Sequence, residues 1–208
     1  KFLSLVLAFT MLLGMFQAVS AFNIAEDVKG TDLETTAAVL GSLNIMTGDA
    51  DTGNFRPNDS IKRSEVARVA ISELGLESVA LGSEGSSKFA DVPLTHWGLG
   101  YINVAASRSL VVGDDGVHFR PDDPITISEA AVIFTKMLGY DPKADAAGGY
   151  PTGYMITAEN IGLFEGVSQT SGNATRSTIA KMAENALEIK MMEQTGYGSN
   201  VQFEVTDK

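Results

Sequence analysis

The chain repeats itself, and an internal repeat restricts the possible folds more than composition does. Phe55-Arg56-Pro57-Asn58-Asp59 returns 64 residues later as Phe119-Arg120-Pro121-Asp122-Asp123. At the same offset of 64, Ile61 matches Ile125, Ser64-Glu65 matches Ser128-Glu129, and Leu74-Gly75 matches Leu138-Gly139. An offset kept through a turn, a helix start and a helix end marks one copied supersecondary unit. A shorter third copy follows. Gly166 aligns with Gly113 at an offset of 53, and Thr175-Arg176-Ser177 aligns with Thr126-Ile127-Ser128 at 49, because the third copy lacks the Phe-Arg-Pro turn.

Residues 1–21 stand outside the array. Lys1, the apolar run Phe2 to Phe16 and the small residues Val19-Ser20-Ala21 read as a secretory signal peptide, too short for a comfortable membrane span. The expectation is an exported protein with no membrane insertion once the peptide is removed. The remaining 187 residues are one domain's worth of chain. The chain contains no cysteine, which rules out disulfides and thiolate metal sites and suits a bacterial surface. Its net charge of −11 argues against nucleic acid as a partner, since that affinity rests on neutralising phosphates.

Within the second copy, Phe89-Ala90-Asp91-Val92-Pro93 is an extended lead-in. Trp97, Tyr101, Val104, Ala105 and Leu110 fall near helical spacing, and Gly113 is the expected helix stop. A polar turn from Asp114 to Asp123 leads to Thr126-Ile127-Ser128-Glu129, a capping box. The helix Ser128 to Leu138 carries Ala131, Phe134 and Leu138 on one stripe and ends at Gly139. The first copy predicts helices from Leu33 to Leu43 and from Lys62 to Gly75; the third predicts Gly153–Ile161 and Arg176–Ile189.

The units therefore span 22–80, 88–141 and a degenerate 149–192, joined by linkers at Glu77–Ser87 and Asp141–Gly149 rich in Gly, Ser and Ala. A helix pair cannot cover its own apolar stripe, so three pairs are expected to share a core. Residues 196–208 read as the start of a further domain, or a tail. There Val201, Phe203 and Val205 alternate as a half-buried strand without a partner.

At this level of detail the chain resembles the S-layer homology family. Its units run Phe-x-Asp-Val, His-Trp, a Gly-x-Phe-x-Pro turn, then Ile-Thr-Arg-Ala-Glu. The second copy supplies Phe89-Ala90-Asp91-Val92, His96-Trp97, Phe119-Arg120-Pro121 and Ile125 to Glu129; the first supplies Asp27-Val28, Gly53 to Pro57 and Ile61 to Glu65. The third keeps only Ala174-Thr175-Arg176-Ser177. The resemblance implies a mostly α, pseudo-threefold bundle of three helix-turn-helix repeats. It also implies non-covalent anchoring of a secreted bacterial surface protein to the cell wall. The implied partner is an acidic, pyruvylated secondary cell-wall polysaccharide held in grooves between units.

Carried over by position, the resemblance points to Arg63 and Arg176 as ligands of the polymer's carboxylate and to Trp97 as a stacking platform. Tyr150 stands at the Trp97 position of the third copy, and Asp32 at that of the first. Arg56 and Lys62 join Arg63 in the densest basic spot of an acidic chain, so the first unit is the preferred groove. Arg56 and Arg120 are alternatively braces of the Phe-Arg-Pro turn. The second copy has Ile127 in place of the motif Arg, and the third has Thr178 in place of the motif Glu. No unit has both Arg and Trp, so a complete site must combine neighbouring units.

Asp49 to Ser60 fails as a calcium loop, because its twelfth position is Ser60 and its glycine sits at the fifth. Neither a metal site nor a cofactor is expected. No Gly-x-Ser-x-Gly elbow, phosphate-binding loop or His-Glu-x-x-His occurs, so these residues are not expected to form an enzyme. Two other readings remain: a self-assembly module of a surface lattice, binding other S-layer subunits, and the anchor of a larger wall-active enzyme.

Overall fold

A computed structural model describes residues 24–196 and 201–206; the predicted signal peptide lies outside them. A 3-10 turn at Glu26–Val28 precedes the described helices. In chain order these are α1 (Glu34–Ser42), α2 (Arg63–Glu73), α3 (Glu77–Leu81), α4 (Leu99–Ser107), α5 (Ile127–Met137), α6 (Asp141–Ala146), α7 (Thr152–Asn160) and α8 (Arg176–Glu188). Two short strands follow, β1 (Met192–Gln194) and β2 (Phe203–Val205). Among the described residues, no helix is long and apolar enough to cross a membrane.

The second helices of the three units, α2, α5 and α8, pack on one another about a central axis. Small side chains let them approach: Ala67, Ala70, Ala130, Ala131, Ala180 and Ala183 are all fully buried, with Val66, Phe134 and Ile179 filling between them. Just before these helices the backbone closes a ring. The Ile61 N–H donates to the Ala174 carbonyl (3.2 Å), Ala174 N–H to Ile125 (2.8 Å) and Ile125 N–H to Ile61 (3.1 Å). Three cyclic bonds of this kind are the backbone signature of a pseudo-threefold array.

The helix pairing is not within units. Each first helix packs on the second helix of a neighbour: α4 on α2, α7 on α5, and α1, from the chain's start, on α8 near its end. Each unit's unshared stripe is thus covered by the next unit, and the α1–α8 contact closes the circle.

The two expected linkers are helical in part. Gly75 and Gly139 take φ of 66° and 82° and stop α2 and α5, and the chain turns at once into α3 and α6. These short helices form because each has a place to bury one alanine, Ala80 or Ala144, both fully buried. The contact needs a glycine opposite. A Cβ on Gly100 would stand 2.0 Å from the Ala80 carbonyl oxygen, and one on Gly153 equally 2.0 Å from that of Ala144. Gly100→Ala is expected to lower stability by about 2–3 kcal/mol through forced separation of α3 and α4. A urea midpoint unchanged from the parent would refute that lock.

Three local expectations are corrected. The helix in the second unit begins at Leu99 and ends at Ser107, so Trp97 lies on the preceding turn and Ser109, at φ 60°, makes the left-handed stop. Gly113 serves another purpose: a Cβ there would meet the His118 carbonyl oxygen at 2.6 Å, across the polar turn. Finally, the C-terminal alternating segment does have a partner. β2 pairs antiparallel with β1, Met192 opposite Val205, and its three residues are exposed instead of half-buried.

Candidate functional site

The site is built outward from a carboxylate. Asp91, at the unit's opening, accepts from the backbone N–H of Phe119 (2.8 Å) and Arg120 (2.7 Å). Asp27 does the same for Phe55 (2.8 Å) and Arg56 (2.7 Å). These bonds hold Arg56 and Arg120 in left-handed conformations, φ 57° and 56°, which a non-glycine residue rarely adopts. Both side chains then brace the turn. Arg120 pairs with Asp114 and Asp123, and Arg56 with Asp49 and Asp59.

So held, the Phe carbonyl of each turn faces another unit, where a motif arginine meets it. Arg63 Nε donates to the Phe119 carbonyl at 2.8 Å, its guanidinium lies 5.0 Å from the Phe119 ring centre, and a terminal nitrogen bonds Glu129 at 2.5 Å. Arg176 repeats this on the first unit: Nε to the Phe55 carbonyl at 2.7 Å, the Phe55 ring at 5.2 Å and Glu65 at 3.5 Å, with a further bond to the Thr47 carbonyl at 2.8 Å. Both arginines are buried, at 6% and 7% exposure. Burial, against the pull of Glu65, lowers the Arg176 pKa from its ordinary value.

The glutamates have two tasks each. Glu129 takes the Thr126 N–H at 2.8 Å and hydroxyl at 2.7 Å, capping α5, while holding Arg63 of the other unit. Glu65 caps α2 through the Lys62 N–H at 2.8 Å. Burial pushes the Glu129 carboxyl up, but the Thr126 bonds and the Arg63 charge outweigh it and leave it below the usual range. Asp91 is likewise lowered, its two backbone donors overcoming burial.

A carboxylate with a depressed folded pKa contributes stability that is complete above its unfolded pKa and disappears as pH falls through the folded one. The stability that Asp91 and Glu129 contribute should therefore be complete above about pH 5 and decline from about pH 4 downward, near the ordinary carboxylate values, while Glu73, whose carboxyl burial pushes well up, contributes in the opposite sense as pH rises. Urea midpoints from pH 7 to 3 would show it, and Asp91→Asn should flatten the acid slope while lowering the pH 7 plateau.

The two departures from the repeat pattern, Ile127 and Thr178, belong to one joint. By repeat position Arg63 meets Glu129, Arg176 meets Glu65, and Ile127 would meet Thr178. The Ile127 N–H bonds the Gly172 carbonyl at 2.9 Å in the shortened third turn, and its side chain is fully buried. Without a Phe carbonyl or a carboxylate opposite, an arginine there would lack its acceptors. Both members of the Arg–Glu pair are absent at this joint, and Thr175 caps α8 with its hydroxyl alone.

Three cavities sit at the three joints. The first, about 280 Å³, brings together Trp97 and Arg176 with Glu65 and Arg68 of α2. The second, about 470 Å³, holds the equivalent Tyr150 and Arg63 with Glu129, Lys136 and Tyr154. The third, about 290 Å³, has Asp32, Thr178 and Lys181 at the corresponding places. Trp97 is half exposed, its ring stacked on His96 with centres 5.7 Å apart, and Tyr150 is 64% exposed; each lines a cavity that a motif arginine also lines.

The arginine and aromatic that no single unit possesses are thus juxtaposed across units. The basic trio is dispersed instead: Arg56 braces its turn, Lys62 pairs with Asp122 of the second unit at 2.7 Å, and Arg63 turns into the second joint. Arg68, Lys136 and Tyr154 were not legible as site residues. Only the i, i+3 placement of Arg68 after Glu65 hints that both share one face of α2. Among the described residues, no group of three or more His, Asp or Glu is placed to hold a metal ion.

Comparison with known proteins matches this architecture. The S-layer homology domain matches residues 37–67 and 88–131, segments that lie within the first and second copies. The chain carries S-layer homology units. It is 30% identical over 200 residues to the Middle cell wall protein of Brevibacillus brevis, across 96% of this chain and 19% of that protein. It is 30% identical over 176 residues to the Surface layer protein of Brevibacillus choshinensis, across 85% and 16%. It is 27% identical over 188 residues to a Cell surface protein of Thermoanaerobacter kivui, across 89% and 24%. The chain spans about a fifth of the length of these relatives. The third copy, outside the two matched segments, is the one that lacks the Phe-Arg-Pro turn and the motif Glu.

Proposed function

We propose that the chain is a non-catalytic anchor that fastens an exported bacterial surface protein to the cell wall by holding an acidic wall polysaccharide, pyruvylated as the family resemblance implies, in the grooves between its units. The observation that carries this reading is the placing of an exposed ring beside a guanidinium at two of three joints, Trp97 with Arg176 and Tyr150 with Arg63. A sugar stacks its apolar face on an aromatic ring, and a guanidinium with spare donors takes a carboxylate or hydroxyls in a fork. Arg63 makes two bonds at the joint and Arg176 three, fewer than the five N–H donors each carries, and both line the groove. That three relatives are named as cell-wall, surface-layer or cell-surface proteins supports the same location.

Co-sedimentation with purified sacculi tests the proposal, comparing native walls with walls stripped of their non-peptidoglycan polymer. Pelleting with native walls alone is the expected result; pelleting with neither would overturn it. A second reading, assembly with other copies or S-layer subunits, is favoured by the third joint, where the motif Arg and Glu are both gone. Concentration-dependent assembly without polysaccharide would select that reading.

A further inference from the structure

The two aromatic grooves differ in charge, and the difference comes from residues outside the repeat motif. In the Trp97 groove, Arg176 and Glu65 offset one another, leaving Arg68. Among the described residues Arg68 forms no ion pair. Its hydrogen bond is a long one, 3.4 Å from a terminal nitrogen to the Asn44 carbonyl. Arg68 lines the same cavity as Trp97. This groove therefore presents one uncompensated guanidinium beside a ring.

The Tyr150 groove is balanced differently. Arg63 is matched by Glu129, and Asp114 by Arg120. What remains is Lys136 and Asp145, one of each sign. Val132 stands where Arg68 stands in the other groove, so the free guanidinium has no counterpart. Lys136 is also partly engaged, donating to the Ser109 carbonyl at 3.1 Å and lying 6.0 Å from the Tyr154 ring centre. Burial, together with the carboxylates of Asp141 and Asp145, pushes the Tyr154 phenol up to about 12, the response of an acid in surroundings that disfavour another negative charge. A sugar hydroxyl can donate to Asp145 while the ring of Tyr150 covers its apolar face; a second carboxylate gains nothing there.

We infer that the grooves read different sugars of one polymer: the Trp97 groove takes a carboxylate-bearing residue with Arg68 as its anion anchor, and the Tyr150 groove takes an uncharged residue through Tyr150 and Asp145. The inference rests on the glycan-anchoring reading. Because the two sites lie on adjacent joints, one strand presenting both residue types engages them together, and the second engagement is intramolecular.

Trp97 is the only tryptophan of the chain, so its fluorescence reports one groove alone. Sodium glucuronate and N-acetylglucosamine serve as probes. Glucuronate should alter Trp97 emission with an affinity that weakens as salt is raised, because an exposed charge pair is screened. Arg68→Met should weaken that response by about tenfold or more, the loss of a charge-assisted contact, with an unchanged urea midpoint. N-acetylglucosamine should give a calorimetric binding signal that leaves Trp97 emission unmoved, is insensitive to salt and disappears in Tyr150→Ala and Asp145→Ala.

An equal glucuronate response in parent and Arg68→Met overturns the inference. So does a Trp97 response to N-acetylglucosamine matching that to glucuronate, or the absence of either binding signal. Pelleting with native sacculi is read separately: if it persists while the sugars fail to discriminate, the anchor stands and the division between grooves falls.

Discussion

Arg176→Met should lower the stability of the chain by about 3 kcal/mol, the cost of removing one member of a largely buried pair while the other stays. The side chain is 8% exposed, and its loss leaves three acceptors from the first unit, the carbonyls of Phe55 and Thr47 and the Glu65 carboxylate, without their donor. Methionine keeps the aliphatic stem against the Phe55 ring, so the measured loss belongs to the polar head. The effect is large because of where this residue sits in the circle of units. It ties positions 121 and 129 residues apart in sequence, joining the third unit to the first, where no short connection substitutes for it. For a chain of this size the change corresponds to a fall in Tm of roughly 6–12 °C. Arg63→Met should cost somewhat less, since it has the equivalent Phe119 carbonyl and Glu129 carboxylate in the second unit but no counterpart of the Thr47 bond. Arg68→Met, on the same helix as Arg63 but lining the groove with one long bond to the Asn44 carbonyl and no ion pair among the described residues, should barely move the Tm. Equal thermal shifts for Arg68 and Arg176 would contradict the separation of joint residues from ligand residues.

Ile127→Arg should be the more damaging single substitution, and Thr178→Glu should partly rescue it. Alone, the arginine buries a charge among the second helices opposite a turn that has no Phe carbonyl and no carboxylate, a loss of about 3 kcal/mol or more. With Glu at 178 the joint regains the pairing of Arg63 with Glu129, and the helix regains its capping carboxylate. The double variant should recover about 1–3 kcal/mol relative to the sum of the single ones, the range found for residues in contact. A double-mutant cycle by urea unfolding measures it directly. Strict additivity would mean that the two positions do not meet, and that the repeat correspondence fails at the third joint.

Much of this protein is legible along the chain. The 64-residue offset, the Thr126–Glu129 capping box and the Gly75 and Gly139 stops are local features, and local features survive reading one residue after another. They placed the six principal helices to within a few residues and named the arginines and rings now found at the joints. Two errors had a common cause. Glu77–Ser87 and Asp141–Gly149 look like linkers because they are short, broken by Gly and Ser, and carry no long apolar stripe at helical spacing. Yet Ala80 and Ala144 are buried by Gly100 and Gly153, some 20 and 9 residues further on. The basic trio likewise looked like one site because Arg56, Lys62 and Arg63 are near in sequence, while their side chains leave in three directions.

The sequence by itself determined that there are three units, where their helices begin and stop, and which motif positions the third has abandoned. Only the tertiary structure decided what those positions meet. A helix pair with an uncovered stripe must be completed by another unit, and nothing along the chain says which. In the folded chain α4, α7 and α1 cover α2, α5 and α8. That circular pairing puts Arg176 beside Trp97, gives Tyr150 to Arg63, and brings Ile127 and Thr178, two isolated oddities in the sequence, to a single joint.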